Sequence, residues 1–230
     1  AATEPVACTF GEREGATTVA LVGDSKAMQW LPALEQVATS RGWRIVTWGK
    51  SACAFAESPA AEAGKAYPEC DAWNERVLDE LRADPPDVVV TSGVARNAWT
   101  GSATGRGLLV EGYATRWRTL PEEGMPVVVV GDSPLSPDDL DICAARHPRE
   151  LSRCSFEAGP AVAGSGLPVQ ADAVSVADAA QVRLLDLTPW ICPDGRCPVV
   201  IGNVAVHRAG DHVTATYAAT LAPQVAQAVE

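Results

Sequence analysis

Short apolar runs rich in β-branched residues alternate with segments of helical periodicity along most of this chain. Most of these runs end close to a glycine, and the alternation predicts parallel strands joined by helices that cover both faces of one sheet. We predict five strands, at residues 17–22, 43–48, 87–91, 126–130 and 182–187. The sequence therefore indicates an α/β fold built on a five-stranded parallel sheet.

Helical periodicity and irregular segments account for the rest of the chain. Pro32 lies inside the first predicted helix and is tolerated only near a first helical turn. We expect residues 1–16 to form an irregular N-terminal arm and residues 133–170 a long insertion, of the kind that serves as a lid or is stapled by disulfides. No linker divides residues 1–230, so we expect one domain. The predicted helices lie at residues 27–37, 73–81, 110–120, 174–180 and 214–229.

Seven cysteines narrow the choice of compartment. Metal binding is one explanation for them, but zinc sites favour C-x-x-C pairs and no spacing here has that form. Six of the cysteines instead form local couples in loops rich in Pro, Gly, Asp and Ser, which is typical of disulfides in an oxidising compartment. Cys8 has no partner among these couples and is either free or paired with a cysteine outside this chain. The predicted couples are Cys53 with Cys70, Cys143 with Cys154, and Cys192 with Cys197.

Charge and hydropathy exclude several classes of partner. The formal net charge is −11, and the scattered Lys and Arg residues argue against nucleic acid and against tight adhesion to anionic lipid. No run of eighteen apolar residues is present, so we expect no membrane-spanning helix. We also expect no signal peptide within the chain, and if the protein is exported, its targeting segment lies outside the chain or has been removed.

Gly23-Asp24-Ser25 joins the first predicted strand to the helix that follows. Parallel sheets bind ligands beyond the carboxyl ends of their strands. A serine at this turn can point its hydroxyl into the crevice, with its main-chain N–H placed to hold a developing oxyanion. The alternative is that Asp24 or Ser25 only caps the helix.

His212 precedes the last predicted helix, in a loop that can return to the same edge of the sheet. A serine hydroxyl needs a base to become nucleophilic, and an imidazole with a pKa near 6.5 suits that task. The alternative is a surface histidine beside Asp211 at the start of a helix.

Several ordered motifs together resemble the SGNH (GDSL-type) hydrolases and acyltransferases, and more closely the SGNH domain fused to bacterial membrane-bound acyltransferase-3 (AT3) proteins. The resemblance covers most of the chain, and the cysteines stand at matching places. The tripeptide Gly-Asp-Ser alone is weak evidence for this family, whereas the whole ordered set of motifs is specific for it. The motifs are VALVGDS at 19–25, WLPAL at 30–34, KSAC at 50–53 with Phe55, YPECDAWN at 67–74, the insertion with Cys143, His147 and Cys154, and DHVTATY at 211–217 running on to Pro223.

This resemblance implies a flavodoxin-like three-layer α/β/α sandwich with a serine–histidine acyl-transfer site. Ser25 would be the nucleophile and His212 the base. The main-chain N–H of Ser25 would help to hold the oxyanion, with Gly49 a plausible further donor and Gly93 with Asn97 a poorer match, because the usual Gly-x-Asn spacing is missing.

The resemblance also implies partners and a location. The domain would transfer an acyl group to, or remove one from, a cell-surface glycan or glycolipid. It would lie outside the cytoplasm, tethered by an AT3 region of its parent chain. No metal or organic cofactor is implied, and no nucleic acid.

The chain departs from the family pattern at two positions. Where the family has the Asp of Asp-x-x-His, this chain has Ala209, and the neighbouring Asp211 cannot be assumed to replace it. The site is then a Ser–His dyad, or a carbonyl or another acid orients His212, or activity is reduced. Lys26 replaces the histidine that usually follows the nucleophile, and could favour an anionic substrate, but we expect it to point to solvent.

Other candidates have plainer interpretations. We expect Asp132 and Ser133 to cap a loop rather than line the crevice, Trp48 and Trp99 to pack in the core, and His147 to be structural. Two further functions remain open: a catalytically silent domain that binds a glycan or a protein partner, motivated by Ala209 and Lys26, and a secreted carbohydrate esterase without a membrane partner.

Overall fold

A six-stranded sheet forms the centre of the computed structural model, which describes residues 3–95, 98–99, 101, 105–208 and 211–230. The spatial order of the strands is β1-β3-β2-β4-β5-β6, with β1 antiparallel to β3 and every other pair parallel. In chain order the strands are β1 (Cys8–Gly11), β2 (Thr17–Gly23), β3 (Trp43–Gly49), β4 (Val88–Ser92), β5 (Val127–Val130) and β6 (Val182–Leu185).

The five predicted parallel strands are confirmed as β2 to β6, with small differences at their ends. The sixth strand, β1, lies in the N-terminal arm that the sequence predicts to be irregular, so that prediction was wrong for Cys8–Gly11. Its four residues are largely exposed and too few to show an alternating pattern. Pairing with the edge of β3, rather than burial, makes this segment a strand.

The strand order places a crevice beside the end of β2. The parallel strands follow the doubly wound order in which the chain reverses direction across the sheet between its first and third parallel strands, here β2 and β4. Gly23, the last residue of β2, lies in register with Gly49 of β3 and with Ser92 of β4. The carboxyl ends of three neighbouring strands therefore meet at this edge.

Helices cover both faces of the sheet, so the molecule has the expected three α/β/α layers. Val19 and Leu21 pack toward α1, α2, α9 and α10, whereas Ala20 and Val22 pack toward α3, α4 and α7. The helices are α1 (Ser25–Met28), α2 (Leu31–Arg41), α3 (Pro68–Ala83), α4 (Arg106–Glu122), α5 (Leu140–Arg146), α6 (Ala158–Gly164), α7 (Leu167–Ala177), α8 (Thr188–Ile191), α9 (Ala215–Thr220) and α10 (Ala222–Val229).

Two predicted helices are each divided in two. The helix predicted at residues 27–37 breaks between α1 and α2, and Pro32 then occupies the first turn of α2, where its missing N–H has no intrahelical partner to lose. The last predicted helix breaks at Leu221, with Pro223 in the first turn of α10. The helix predicted at residues 174–180 begins earlier, as α7 at Leu167.

The segment at residues 133–170 is more regular than the sequence predicts. It contains α5, a 3-10 turn at Leu151–Cys154, α6 and the start of α7. Each of these two helices has only seven residues, too few to show a clear period, and α6 consists almost wholly of Ala, Gly and Pro, which explains the miss. The disulfide Cys143–Cys154 joins α5 to the 3-10 turn.

Further disulfides and short ribbons complete the architecture. Disulfides link Cys53 to Cys70 and Cys192 to Cys197, and Cys8 is exposed and forms no disulfide with another described residue. None of the helices in the described ranges is both long and apolar enough to cross a bilayer. Two-residue strands pair as Ala61–Glu62 with Lys65–Ala66, Phe156–Glu157 with Arg196–Cys197, Val200–Ile201 with Val204–Ala205, and His207–Arg208 with His212–Val213.

Candidate active site

The turn after β2 depends on a glycine. Gly23 has a φ of +142°, and a Cβ at this position would lie 2.8 Å from the Ser92 carbonyl oxygen and 2.9 Å from the Cβ of Ala27. Only glycine accepts both the backbone conformation and the close approach of β4. The following residues, Asp24 and Ser25, are thereby held against the end of β4.

Asp24 caps α1 and leaves Ser25 exposed. Oδ1 of Asp24 accepts a hydrogen bond from the Lys26 N–H at 2.8 Å, and Oδ2 accepts one from the Val94 N–H at 3.2 Å. Burial of the carboxyl raises the pKa of Asp24 to about 6, although these two hydrogen bonds oppose the rise. The capping role that the sequence left open between the two residues therefore belongs to Asp24.

Ser25 and His212 line the same cavity at the carboxyl edge of the sheet. The cavity measures about 130 Å³ and lies at the end of β2, beside the reversal of strand order. The structure thus brings the predicted nucleophile and the predicted base to one place, although they lie at opposite ends of the chain. Val94, Lys26, Asp132, Gly166 and Asp211 also contribute to its walls.

Main-chain contacts anchor the segment that carries His212 on both sides. The Val213 N–H donates to Oε1 of Gln29 at 2.9 Å, a buried contact with the loop between α1 and α2. On the other side, the Asp211 carbonyl accepts a hydrogen bond from the Lys26 ammonium and one from the Ser133 hydroxyl at 3.4 Å. These contacts fix the backbone of His212 from both directions.

Lys26 is buried, so the expectation that it points to solvent was wrong. Its side chain is 3 % exposed, and Nζ lies 3.0 Å from Oδ1 of Asp132. Nζ also donates to Oγ of Ser133 at 3.5 Å and to the Asp211 carbonyl. A solvent-facing lysine is the default for this residue type, and only the folded chain reveals the carboxylate that compensates its burial.

Asp132 lines the cavity, so the prediction that it only caps a loop was also wrong, whereas Ser133 is buried beside it and is not among the lining residues. Oδ2 of Asp132 accepts from the Gly166 N–H at 2.7 Å, and its own N–H donates to Oε1 of Gln170 at 2.7 Å. Nε2 of Gln170 donates in turn to the Gly93 carbonyl at 3.2 Å. Burial raises the pKa of Asp132, and the Lys26 ammonium and the Gly166 N–H oppose that rise.

Sequence reasoning missed Gln29 and Gln170, although each carried a weak signal. Gln170 is a fully buried amide in the otherwise apolar first turns of α7, and Gln29 stands between Met28 and Trp30. A buried amide must find hydrogen-bond partners, so a lone polar residue on an apolar face indicates such contacts without naming them.

The predicted oxyanion residues are spread around the cavity. Gly49 is exposed at the end of β3, and a Cβ there would lie 2.8 Å from Sδ of Met28. Gly93 is buried after β4, where an added Cβ would collide with the Tyr113 hydroxyl. Asn97 lies outside the described residues. Of the donors proposed from the sequence, Ser25 itself lines the cavity.

The remaining predicted residues have no direct place in this cavity. Trp48 is buried, and its indole N–H donates to Oε2 of Glu80 at 2.6 Å. Trp99 is half-buried, as is His147 at the end of α5. Ala209, at the position of the family aspartate, lies outside the described residues.

A second, larger cavity adjoins the first, and Asp211 lines both. It measures about 350 Å³ and has apolar walls that include Pro137, Leu140 and Ala205. His207 also lines it and packs against Phe156 in a tilted arrangement, with the ring centroids 5.3 Å apart. Burial, together with repulsion from Lys26, lowers the pKa of His207 to about 4.

Known proteins share this architecture. The periplasmic domain of a lipopolysaccharide acetyltransferase from Salmonella ser. Paratyphi A superposes with a TM-score of 0.66 at 14 % identity, over 94 % of this chain and 84 % of that chain. TesA superposes at 0.51 with 16 % identity, over 93 % and 98 %. The acetyl xylan esterase AlAXEase also superposes at 0.51, with 12 % identity, over 93 % and 100 %. At these identities the likeness concerns the fold.

The sequence gives a more specific assignment. No curated protein sequence is significantly similar to the chain. The family model described as "SGNH domain (fused to AT3 domains)" matches residues 2–227, which is nearly the entire chain. The chain therefore belongs to the family of SGNH domains that are fused to AT3 domains, as its motifs predict.

Proposed function

We propose that this domain is a serine-dependent O-acyltransferase or acyl esterase that acts outside the cytoplasm on a cell-surface glycan or glycolipid. Membership of the SGNH family supports acyl transfer or ester hydrolysis as the chemistry. The observation that carries the residue assignment is that Ser25 and His212 line one cavity at the carboxyl edge of the sheet.

The reaction begins when Ser25 attacks the carbonyl carbon of an acyl donor. His212 takes the hydroxyl proton as the bond from Oγ to that carbon forms, and the carbonyl oxygen becomes an oxyanion. The main-chain N–H of Ser25 stabilises that oxyanion, with Gly49 as a further candidate donor from the end of the neighbouring strand. When the tetrahedral intermediate collapses, the bond to the leaving group breaks and His212 returns the proton to that group.

The second half of the reaction repeats these steps with a new nucleophile. A glycan hydroxyl, or water, loses its proton to His212 and attacks the acyl-enzyme. Collapse of the second intermediate breaks the ester to Ser25, and His212 protonates Oγ. The acyl group ends on the glycan in transfer, or as a free acid in hydrolysis.

His212 is a better candidate for the base than Lys26, although Lys26 follows the nucleophile directly. The Lys26 ammonium is surrounded by the Asp132 carboxylate, the Ser133 hydroxyl and the Asp211 carbonyl. Three oxygen atoms engage a group that has three N–H donors and no acceptor while it is charged. We therefore assign a structural role to Lys26 and the proton transfer to the imidazole of His212.

The second cavity is the space that we assign to the acceptor. It shares Asp211 with the Ser25 cavity, so a group bound there can reach the acyl-enzyme. Its volume of about 350 Å³ falls within the usual size of small-molecule sites. Apolar walls beside carboxylates suit a ligand that combines hydrocarbon faces with hydroxyl groups.

We infer the location and the partner from the same family. Three disulfides fit an oxidising compartment outside the cytoplasm. The domain would receive its acyl group from an AT3 region of the parent chain, which would also tether it to the membrane. The periplasmic location given for the Salmonella relative supports this placement.

A catalytically silent binding domain is the second candidate, because Ala209 stands where the family carries its orienting aspartate. Hydrolysis of p-nitrophenyl acetate and labelling by a serine-reactive fluorophosphonate separate the two functions. An enzyme loses turnover and label in Ser25→Ala, loses turnover in His212→Ala, and keeps both in the control Ser40→Ala, which changes an exposed serine on α2. If the wild type and Ser25→Ala both show no turnover and no labelling, the domain is a binding domain.

A further inference from the structure

Three oxygen atoms from two distant segments converge on the Lys26 ammonium. Asp132 and Ser133 follow β5, whereas Asp211 directly precedes His212. Both Lys26 and Asp132 are almost wholly buried, with side chains 3 % and 1 % exposed. An ion pair this far from water carries a desolvation cost that its Coulomb attraction can fail to repay, so stability alone does not account for it.

We propose that Lys26 is a positioning residue for the base: its ammonium, held by Asp132, fixes the Asp211 carbonyl and so keeps His212 in place at the Ser25 cavity. This role rests on the proposed function, because it acts through His212. In this role Lys26 acts through the segment that carries His212 and does not itself accept or donate the proton that moves.

The sequence around His212 explains why such a device is needed. Family members orient the imidazole through an aspartate three residues earlier, and Ala209 has no side-chain oxygen to do so. Here the anchors are on the main chain. Lys26 and Ser133 donate to the carbonyl before His212, and Gln29 accepts from the N–H after it.

The same contacts link the base to the nucleophile. Lys26 is the next residue after Ser25, and its own N–H is held by the capping carboxylate of Asp24. One side chain thus spans from the turn that presents the nucleophile to the segment that presents the base. Displacement of Lys26 would change the separation of Ser25 and His212 without removing either group.

The test is a pair of charge-neutral substitutions, Lys26→Met with Asp132→Asn. The asparagine oxygen can still accept from the Gly166 N–H, and no buried charge is left alone. Because a misplacement of about 1 Å can cost on the order of 100-fold in rate, we expect kcat for p-nitrophenyl acetate to fall by about 100-fold with little change in KM. Lys26→Arg, which keeps the charge, should retain part of the activity.

Added imidazole supplies a readout that a merely structural effect would not move. It should partly restore turnover in the double variant and in His212→Ala, after subtraction of the enzyme-free rate, because an external base replaces a misplaced one. Arg116→Met is the matched control: Arg116 is also buried, at 1 % exposed, and pairs with Glu75 away from the cavity. Its kcat should equal that of the wild type, with no effect of imidazole.

The outcomes separate the two proposals. If wild-type turnover needs Ser25 and His212 but the folded double variant is equally active, the positioning role fails and the proposed function stands. If the wild type shows no turnover that depends on Ser25, both fail. If the double variant does not fold, Ser133→Ala decides, because it removes a donor to the same carbonyl: a several-fold lower kcat supports the role, and an unchanged kcat overturns it.

Discussion

Lys26 and Asp132 form an ion pair with 3.0 Å between Nζ and Oδ1, almost wholly buried at the carboxyl edge of the sheet. The pair joins the turn after β2 to the end of β5. Neither strand pairs directly with the other, because β4 lies between them. The contact therefore ties together two parts of the crevice that the sheet alone does not connect.

Stability measurements should show that the two charges depend on each other. Lys26→Met leaves Asp132 buried without its counter-ion, and we expect the free energy of unfolding to fall by about 3–5 kcal/mol. Lys26→Met with Asp132→Asn should lose substantially less, because no uncompensated charge remains. Urea denaturation of the wild type, both single variants and the double variant gives the coupling energy. Additive losses would contradict the pairing.

The capping carboxyl of Asp24 should make the protein less stable as the pH rises. Burial raises its pKa from 3.8 to about 6, so the folded state binds a proton more tightly than the unfolded state. The contribution is fully present below the unfolded pKa and is lost as the pH rises through the folded pKa, a change of about 3 kcal/mol. Relative to Asp24→Asn, the wild type should lose stability between pH 4 and pH 6 and stay level above that range. If the free energies of unfolding of the wild type and Asp24→Asn change with pH in parallel, the pKa of Asp24 is not raised in the folded state.

His207 should act in the opposite direction over an overlapping range. Burial, with repulsion from Lys26, lowers its pKa from 6.5 to about 4, so the folded state resists protonation. Its ring nitrogens have no hydrogen-bond partner among the described residues, which adds a cost that a leucine would not carry.

The measurable consequence is a difference between variants. As the pH falls from 6.5 to 4, the wild type should lose about 3 kcal/mol relative to His207→Leu. The opposite trends of Asp24 and His207 partly cancel in the wild type, so each must be read as the difference from its own variant. If His207→Leu and the wild type show the same dependence of the free energy of unfolding on pH between 6.5 and 4, burial does not lower the pKa of His207.

The fold was largely predictable because its strands are strong local patterns. Val127–Val130 can form little else than a buried strand between helices, and the parallel pairing follows from the alternation. Cys8–Gly11 was not predictable, since its strand character comes from the edge of β3. The short helices α5 and α6 were missed because seven residues give no clear period.

Some residues of the candidate site were likewise predictable from the sequence, and others were not. Ser25 and His212 were predicted to meet because a turn and a loop can reach the same edge of the sheet in this topology, and their roles came from the resemblance to the SGNH family. Lys26 and Asp132 were misjudged because the burial of a charged residue depends on a partner that is distant in sequence. Nothing in the residues near Lys26 indicates that Asp132 will lie beside it.

Filling the second cavity should separate acceptor binding from the chemistry at Ser25. Ala205 lines that cavity, and Ala205→Trp would occupy much of its 350 Å³ without changing a residue of the Ser25 cavity. Turnover of p-nitrophenyl acetate should stay near the wild-type value, because its single-ring leaving group needs less space beyond Ser25 than a naphthyl group. The KM for the larger ester 2-naphthyl acetate should rise several-fold, because its ring system must extend past Asp211. Ala145→Trp, on the exposed surface of α5, is the control for a new tryptophan and should change neither substrate. Equal KM values for 2-naphthyl acetate in Ala205→Trp and the wild type would mean that this cavity receives no part of the substrate.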